Sequence, residues 1–214
     1  MRAARDEILA TIRQSLGRGP LEPDATAVLA ARMAAPPQHP RPAFEEDLTT
    51  RTIRKLESRS ATVARVADWT DVPRAAEQFR TENGIEPRVV IGAGLAALAW
   101  PSHWSWHSGP AAPDAVLSVT PAFAAIAETG TLMLVASPDS PTTHNFVPEH
   151  QIVVLKVEQI VRHFEDAWWC RQQTGAGLPR VVNLVSGPSR TADIEQTIQL
   201  GAHGPRRLHV ILVG

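Results

Sequence analysis

The chain has 214 residues with a formal net charge of -1, and 43% of its residues are hydrophobic. This length suits one large α/β domain with an appendage, and the apolar fraction allows a sizeable core. The near-neutral charge argues against binding of nucleic acid or a membrane surface through bulk electrostatics. Because the sequence contains neither a membrane-span pattern nor an apolar signal-peptide core, we expect a soluble cytoplasmic protein.

Cys170 is the only cysteine of the chain. A single thiol forms no intrachain disulfide and holds no four-cysteine zinc site or iron–sulfur cluster. Its Trp-Trp-Cys context favours a structural thiol on a helix over a nucleophile. We therefore expect that this chain itself holds no iron–sulfur cluster.

The N-terminal part of the sequence predicts a helical appendage followed by a linker. Apolar residues recur at a spacing of four over residues 5–16, which predicts a short amphipathic helix. Prolines then become frequent, and they deny the backbone donors that helices and sheets need, so residues 17–42 read as a linker or a loosely packed arm. The predicted division is an appendage over residues 1–43 and an α/β domain over residues 44–214.

Helical and strand patterns alternate through the second part of the chain. The predicted helices cover residues 44–56, 71–83, 121–127 and 158–173, and the predicted strands cover residues 61–66, 88–91, 116–119, 132–136, 151–157, 181–185 and 207–213. A helix between the first two strands implies a crossover connection and parallel pairing. The alternation therefore predicts a mostly parallel sheet with flanking helices.

Two motifs between the second and third predicted strands favour packing over ligand binding. Gly92–Ala97 matches a dinucleotide fingerprint with alanine in the third glycine position, but Pro101 truncates the helix and no acidic residue follows the next strand. We interpret this run as close helix–strand packing. His103 and His107 have the spacing of helical metal ligands, yet Pro101 and Gly109 argue against a helix, so we predict a structural aromatic loop.

The polar turn of Glu128, Thr129, Gly130 and Thr131 lies between a predicted helix and the strand that follows it. In one interpretation it is a turn that exposes its side chains to a ligand. In the other it is only a helix C-terminus, with Gly130 as the left-handed stop. The sequence leaves these two interpretations open.

The stretch from Ser186 to Gly204 follows the strand predicted at residues 181–185. Its loop presents many donors and groups that titrate, namely Ser186, Gly187, Ser189, Arg190, Thr191, Asp193, Glu195 and His203. In open α/β sheets, ligands bind outside the carboxyl ends of the strands, so we predict a ligand cleft at this edge. The alternative is a capped helix whose first turn favours the two acids.

Four runs together resemble a known family: Glu128–Thr131, His150–Val154, Ser186–Glu195 and Gly201–Pro205. They are similar to the LUD domain in its stand-alone form, lactate utilization protein C. The resemblance implies a fold similar to the NagB/RpiA/CoA transferase-like fold. It also implies a component of a multi-protein system that oxidises L-lactate to pyruvate beside iron–sulfur partner proteins.

The first hypothesis is a subunit that binds a small carboxylate. Arg190 would hold the carboxylate, the polar residues of the loop and of the Glu128–Thr131 turn would add donors, and His203 or Glu128 would act as base. The second hypothesis is a non-catalytic assembly subunit. A further alternative is an acyl-CoA or sugar-phosphate protein on the same fold.

A metal site is a lower-ranked hypothesis. His150, Asp193, Glu195 and His203 have suitable side chains for a divalent cation, but their spacing matches no established signature. We therefore expect no metal.

Overall fold

The computed structural model describes residues 2–17, 19–35, 39–191, 199–200 and 203–214. The chain divides into two compact units, Met1–Pro42 and Ala43–Gly214. The helices of the described residues are Arg2–Ser15 (α1), Pro23–Ala34 (α2), Leu48–Glu57 (α3), Val72–Glu82 (α4) and Phe164–Gln173 (α5). Their strands are Thr62–Val66 (β1), Arg88–Ile91 (β2), Ser105–His107 (β3), Leu117–Pro121 (β4), Ala124–Ile126 (β5), Thr131–Val135 (β6), His150–Lys156 (β7), Ile160–Val161 (β8), Val182–Val185 (β9), Arg190–Thr191 (β10), Gln199–Leu200 (β11) and Arg207–Val213 (β12).

The first unit contains helices α1 and α2. Helix α1 confirms the helix predicted at residues 5–16, but α2 replaces part of the predicted linker. Pro23 begins α2 at a position where the missing N–H has no helical partner in any case, so a proline there favours a helix. The apolar side chains Ile8 and Ile12 of α1, and Leu16 just after it, are exposed.

A parallel sheet of six strands forms the centre of the second unit, in the order β1-β12-β7-β4-β2-β3. The last strand of the chain, β12, lies between β1 and β7 and is paired along its whole length with β7. The predicted pairing of the first two strands is therefore wrong in detail, because three strands lie between β1 and β2. A crossover helix requires parallel strands, but it does not require neighbours.

A second, mixed sheet contains four strands in the order β8-β5-β6-β9. The helix predicted at residues 121–127 is wrong, since Pro121 ends β4 and the next residues form β5. Ala124, Ala125 and Ile126 of β5 are buried, and tertiary packing overrides their helical propensity. A short two-stranded ladder of β10 and β11 completes the described strands.

The helix predicted at residues 158–173 is shorter in the structure, because a 3-10 turn and β8 precede α5. Trp169 of α5 is 61% exposed. The larger correction concerns β9, which pairs antiparallel with β6 in the mixed sheet. The loop after β9 therefore does not lie at the carboxyl edge of the parallel sheet.

The alternating side chains of the parallel strands fill two cores. Ile152 and Val154 of β7 face the core that contains α4, whereas Val153 and Leu155 face the core that contains α3 and the mixed sheet. On the other side of the mixed sheet, Ala167 of α5 packs against β5 and β6. The layers are thus α4, the parallel sheet, the mixed sheet with α3, and α5.

The aromatic loop is packed structure, as its proline and glycine predicted. Trp104 is buried, and its indole Nε1 donates to a carboxylate oxygen of Glu77 at 2.7 Å. His103 approaches the same carboxylate at 3.2 Å. Because His107 lies in β3 and His103 lies before it, the two histidines do not share a helix.

Candidate functional site

The turn from Glu128 to Thr131 is the tip of the hairpin that joins β5 and β6. Both predicted contexts placed a helix before it, and that helix is absent from the described residues at this point. Gly130 has a φ of 67°, and its N–H donates to the carbonyl of Ile126 at 2.8 Å. Glycine reaches this left-handed conformation without a steric penalty, so it suits the hairpin tip.

A chain of hydroxyl groups joins this hairpin to the loop after β9. The Oγ1 atoms of Thr129 and Thr131 lie 2.7 Å apart, and Thr131 Oγ1 lies 2.7 Å from Ser186 Oγ. The register of β6 and β9 places Leu132 opposite Val185, which brings Thr131 and Ser186 together at the end of the ladder. The two predicted segments therefore meet, at the mixed sheet and not at the predicted carboxyl edge.

Two arginines flank this meeting point. Arg59 and Arg190 line a shallow cavity of about 320 Å³ together with Ser186, Gly187 and Pro188. Arg59 donates from Nη1 to the carbonyl of Thr129, and Arg190 donates from Nη2 to the hydroxyl of Ser60. Neither guanidinium has a carboxylate within ion-pair distance among the described residues. Two exposed cations with no acidic partner in the described part of the chain are suited to an anionic ligand.

Sequence reasoning did not select Arg59. It lies just after α3, in a turn where the backbone N–H of Ala61 returns to the carbonyl of Leu56 at 3.1 Å. Ser60 in this turn has a φ of 68°, a conformation that is uncommon for residues other than glycine. Unlike a glycine, a serine does not indicate a positive φ, so the sequence carried no signal for this turn.

A second cavity, of about 220 Å³, lies on the other side of the same loop. Its lining includes Ser186, Ser189, Asn145, Gln151 and His203. Gln151 is the second residue of β7, so this cavity lies near the amino ends of the parallel strands. The predicted location at the carboxyl edge is therefore wrong.

Buried amides form the polar floor of this second cavity. Gln151 Nε2 donates to Asn145 Oδ1 at 2.8 Å and to Thr120 Oγ1 at 3.3 Å. Asn145 Nδ2 in turn donates to Asn183 Oδ1 at 3.1 Å. Such satisfied networks hold their members rigidly. Sequence reasoning recognised Asn145 only as part of a polar loop and did not select it for the site.

His203 lies on the wall of the second cavity and is exposed. Its backbone N–H approaches Ser189 Oγ at 3.4 Å, and the backbone N–H of Ser189 donates to the carbonyl of Pro205 at 2.8 Å. These contacts hold the end of the Ser186–Arg190 loop beside the segment that leads into β12. The imidazole is thus free to meet a ligand in this cavity.

Glu128 is engaged with a histidine and lines neither cavity. Its Oε2 atom lies 3.0 Å from Nδ1 of His163, with side chains that are 21% and 7% exposed. His163 is buried, and its ring packs edge-on against that of Phe44 at a centroid distance of 5.8 Å. The pair links the hairpin to the start of α5.

Several predicted site residues lie partly or wholly outside the described residues. Asp193 and Glu195 fall in the undescribed segment, and only the backbone of Thr191 is described, in β10. His150 is buried, and burial lowers the pKa of its imidazole below the usual value. The metal hypothesis that joins these acids to His150 and His203 stays the lower-ranked alternative, and the absence of a metal stays the prediction.

The described residues contain neither a candidate metal site nor a candidate membrane-spanning helix. Within the described ranges, no three His, Cys, Asp or Glu side chains cluster as a metal site would require. No helix in those ranges has the length and apolarity to cross a membrane.

Comparison with known proteins supports the resemblance found in the sequence. Residues 111–213, just under half of the chain, match the LUD domain. All four runs that carried the resemblance lie inside these residues, and the predicted resemblance is confirmed. Lactate utilization protein C of Shouchella clausii is 34% identical over 116 residues, which cover 53% of this chain and 51% of that protein.

Two other similar proteins have names that state no activity. An uncharacterized protein of Neisseria meningitidis serogroup B is 41% identical over 88 residues, which cover 41% of this chain and 38% of that protein. The chain thus spans about half, or less, of the curated relatives that it matches. A crystal structure of a DUF162 family protein from Deinococcus radiodurans has a TM-score of 0.63 at 22% identity, and it covers 81% of this chain and 100% of that one. That likeness concerns the fold alone.

Proposed function

Because residues 111–213 form a LUD domain, we propose that this protein is a component of a system that oxidises L-lactate to pyruvate. In this proposal the loop from Ser186 to Arg190 binds the small carboxylate. The name of the Shouchella clausii relative, lactate utilization protein C, supports the assignment to the system. The geometry around Ser186 supports the assignment of the ligand.

The observation that carries the proposal is the placement of Arg59 and Arg190 on one cavity with Ser186. A planar guanidinium binds a carboxylate through two parallel hydrogen bonds, and a second guanidinium strengthens the local positive potential. The hydroxyl chain through Thr131 can donate from Ser186 to a ligand oxygen, since the direction of hydroxyl hydrogens adapts to the partner.

Oxidation of lactate to pyruvate removes two electrons and two protons. The two cavities share Ser186, Gly187 and Pro188. His203 is therefore our candidate proton acceptor for a ligand that extends from the two arginines past Ser186 into the second cavity. We propose that Glu128 does not act as the base, and that its contact with His163 holds the hairpin in position at the start of α5. The electrons require an acceptor, and the single cysteine of this chain cannot hold a four-cysteine cluster. We therefore assign the acceptors to iron–sulfur partner proteins.

Calorimetric titration of the purified protein with lactate and pyruvate tests the ligand assignment. Removal of one hydrogen-bonded guanidinium should weaken binding about ten- to hundredfold in Arg190→Ala and in Arg59→Ala. Arg65→Ala is the matched control, because Arg65 is exposed on β1 and the one hydrogen bond of its side chain to the described residues is to the carbonyl of Gly214. Equal affinity of Arg190→Ala and the wild type would refute the assignment.

An assembly role is the second candidate, and a specific observation favours it. Ile8 and Ile12 of helix α1 are exposed and form an apolar stripe, which Leu16 continues just after the helix. Such stripes mark surfaces that bind other proteins. We expect co-purification with the iron–sulfur partners to be lost in the double variant Ile8→Asp and Ile12→Asp, and retained in Leu178→Asp, whose side chain is 87% exposed in the second unit. Unchanged co-purification of the double variant would contradict this role.

The two roles are separated by one further assay. If the isolated chain oxidises lactate with an artificial electron acceptor, a purely non-catalytic role is wrong. The predicted likeness to the NagB/RpiA/CoA transferase-like fold stays a prediction. So does the alternative of a protein that acts on acyl-CoA or sugar-phosphate ligands.

A further inference from the structure

Another cavity lies at the carboxyl ends of β2 and β4. Its volume is about 380 Å³, and it shares no lining residue with the two cavities at the Ser186–Arg190 loop. Its lining includes Gly94, Pro121, Phe123, Ser137, Ser140 and Arg171. Its size falls within the range of small-molecule sites.

The topology of the parallel sheet places a switch point at this cavity. Strand β2 lies between β3 and β4, and the chain continues from β2 to β3 on one side. From β4 the chain returns to this sheet as β7, on the other side. The chain therefore leaves the pair β2 and β4 in opposite directions. In open α/β sheets, ligands bind in the crevice at such a point, outside the carboxyl ends of the strands.

A buried arginine lines this crevice. Arg171 of α5 is 8% exposed, and no Lys, Asp or Glu among the described residues is buried. Its Nη1 donates to Thr174 Oγ1 at 2.5 Å, and its Nη2 donates to the carbonyl of Ala176 at 3.5 Å. Both acceptors are neutral, and no carboxylate of the described residues lies within ion-pair distance of Arg171.

An uncompensated buried cation is unfavourable, because the desolvation of its charge is not offset by a counter-charge. A guanidinium also has five N–H donors, and the described contacts of Arg171 use two of them. The remaining donors can bind an anion. An anion in the adjoining cavity would therefore supply both the missing charge and the missing acceptors.

The rest of the lining defines the kind of anion. Pro121 and Phe123 give an apolar wall, and Ser137 and Ser140 add hydroxyl groups. Asp139 also lines the cavity, but its side chain is exposed, so solvent screens its charge. The apolar wall suits an organic body better than a bare inorganic ion.

The Gly92–Ala97 run forms one side of this cavity. A Cβ at Gly92 would lie 2.9 Å from Cδ of Pro121, so the loop packs closely on the end of β4, as the sequence interpretation predicted. The N–H of Ala93 donates to the carbonyl of Asp139 at 2.8 Å, which ties the two loops together. Gly94 has no atom near its Cβ position and faces open space.

We propose that this crevice is a second ligand site, which binds a small organic anion. The anionic group binds Arg171, and the apolar part of the ligand packs on Phe123 and Pro121. The site is independent of the proposed carboxylate site at Arg190, because the two share no residue.

Calorimetric titration with butyrate tests the proposal, with butyramide as a probe of the same shape without charge. We expect the wild type to bind butyrate and not butyramide. The affinity for butyrate should fall about ten- to hundredfold in Arg171→Met and stay unchanged in Arg65→Ala, whose side chain is exposed on β1 and lines neither this cavity nor the one at Arg190. Equal binding by Arg171→Met and the wild type would overturn the proposal. A loss confined to Arg190→Ala would place butyrate at the loop instead, and would also overturn it.

Two further measurements keep the test decisive if Arg171→Met is unstable. Without ligand, a guanidinium with a purely structural role predicts a lower melting temperature for Arg171→Met. A ligand-binding role predicts an equal or higher one, because the uncompensated charge is gone. In the wild type, butyrate should shift the backbone amide resonances of Gly94 and Ser137 and leave that of Ala64, on β1, unchanged. Shifts confined to Gly187 would contradict the site.

Discussion

Replacement of Gly130 by alanine separates backbone strain from steric conflict at the hairpin tip. Gly130 has a φ of 67°, and an added Cβ would lie 2.5 Å from Cβ of Lys55 and 3.0 Å from its carbonyl carbon. Ordinary carbon contacts are about 3.5–4.0 Å, so either the hairpin or the end of α3 must move. The left-handed conformation costs about 1–2 kcal/mol for alanine, and overpacking adds about 1–3 kcal/mol. We expect Gly130→Ala to lower the free energy of unfolding by about 2–5 kcal/mol.

Gly175 provides the matched control. Its φ is also 67°, but no atom lies within 4 Å of its Cβ position. Gly175→Ala therefore carries the backbone term alone, and this term is partly offset because alanine reduces the conformational entropy of the unfolded chain. We expect a loss of about 1 kcal/mol or less for the control.

Equilibrium urea denaturation of the two variants measures the difference. The steric part should appear as an excess loss of about 2 kcal/mol in Gly130→Ala, with an unchanged dependence on urea concentration. Lactate binding should weaken in the same variant, since Thr129 and Thr131 flank the displaced glycine and contact Ser186. Equal stability of the two variants would refute the packing of the hairpin against α3.

Three other predictions concern polar groups that are buried or half-buried. Burial lowers the pKa of His209 from 6.5 to about 4 in the folded protein. As the pH falls, His209 is therefore protonated in the unfolded chain before it is protonated in the folded one. The free energy of unfolding should then fall by up to about 3 kcal/mol between pH 6.5 and 4, and less in His209→Leu, as measured by denaturation across this range. Hydrogen bonds from Arg80 and Trp104 help to lower the pKa of Glu77 to about 2. In the same assay, Glu77→Gln should therefore lower the free energy of unfolding by about 1–3 kcal/mol at pH 7 and by little near pH 2. Gln151→Leu leaves Asn145 Oδ1 without its donor, so we expect the free energy of unfolding to fall by about 1–3 kcal/mol, as measured by thermal or urea unfolding. An unchanged free energy of unfolding would contradict the buried network.

Local patterns predicted most elements of the second unit. The β-branched runs at β1, β2, β7 and β12 form strands, and the helix that Pro73 opens ends before Gly84, whose φ is 61°. These signals depend on neighbouring residues alone. The alanine-rich segment of β5 failed, because its small side chains form a strand only where two layers bury them.

The candidate site was predicted only in part. The hydroxyls of Thr131 and Ser186 meet as expected, yet they meet at the mixed sheet, because β9 pairs with β6 and does not join the parallel sheet. Arg59 and Arg171 carried no motif. Each matters through what surrounds it, and that surrounding is assembled from segments far apart in the chain.

The sequence by itself determined the family resemblance and the residue types at the Ser186–Arg190 loop, since both are properties of residue order. Tertiary structure alone decided which strands are neighbours, and with them the side of the sheet on which each loop lies. The physical reason is that strand pairing uses the same backbone hydrogen bonds for every sequence, so burial of the whole domain selects the partner. That selection placed the loop away from the carboxyl edge and placed the buried charge of Arg171 there instead.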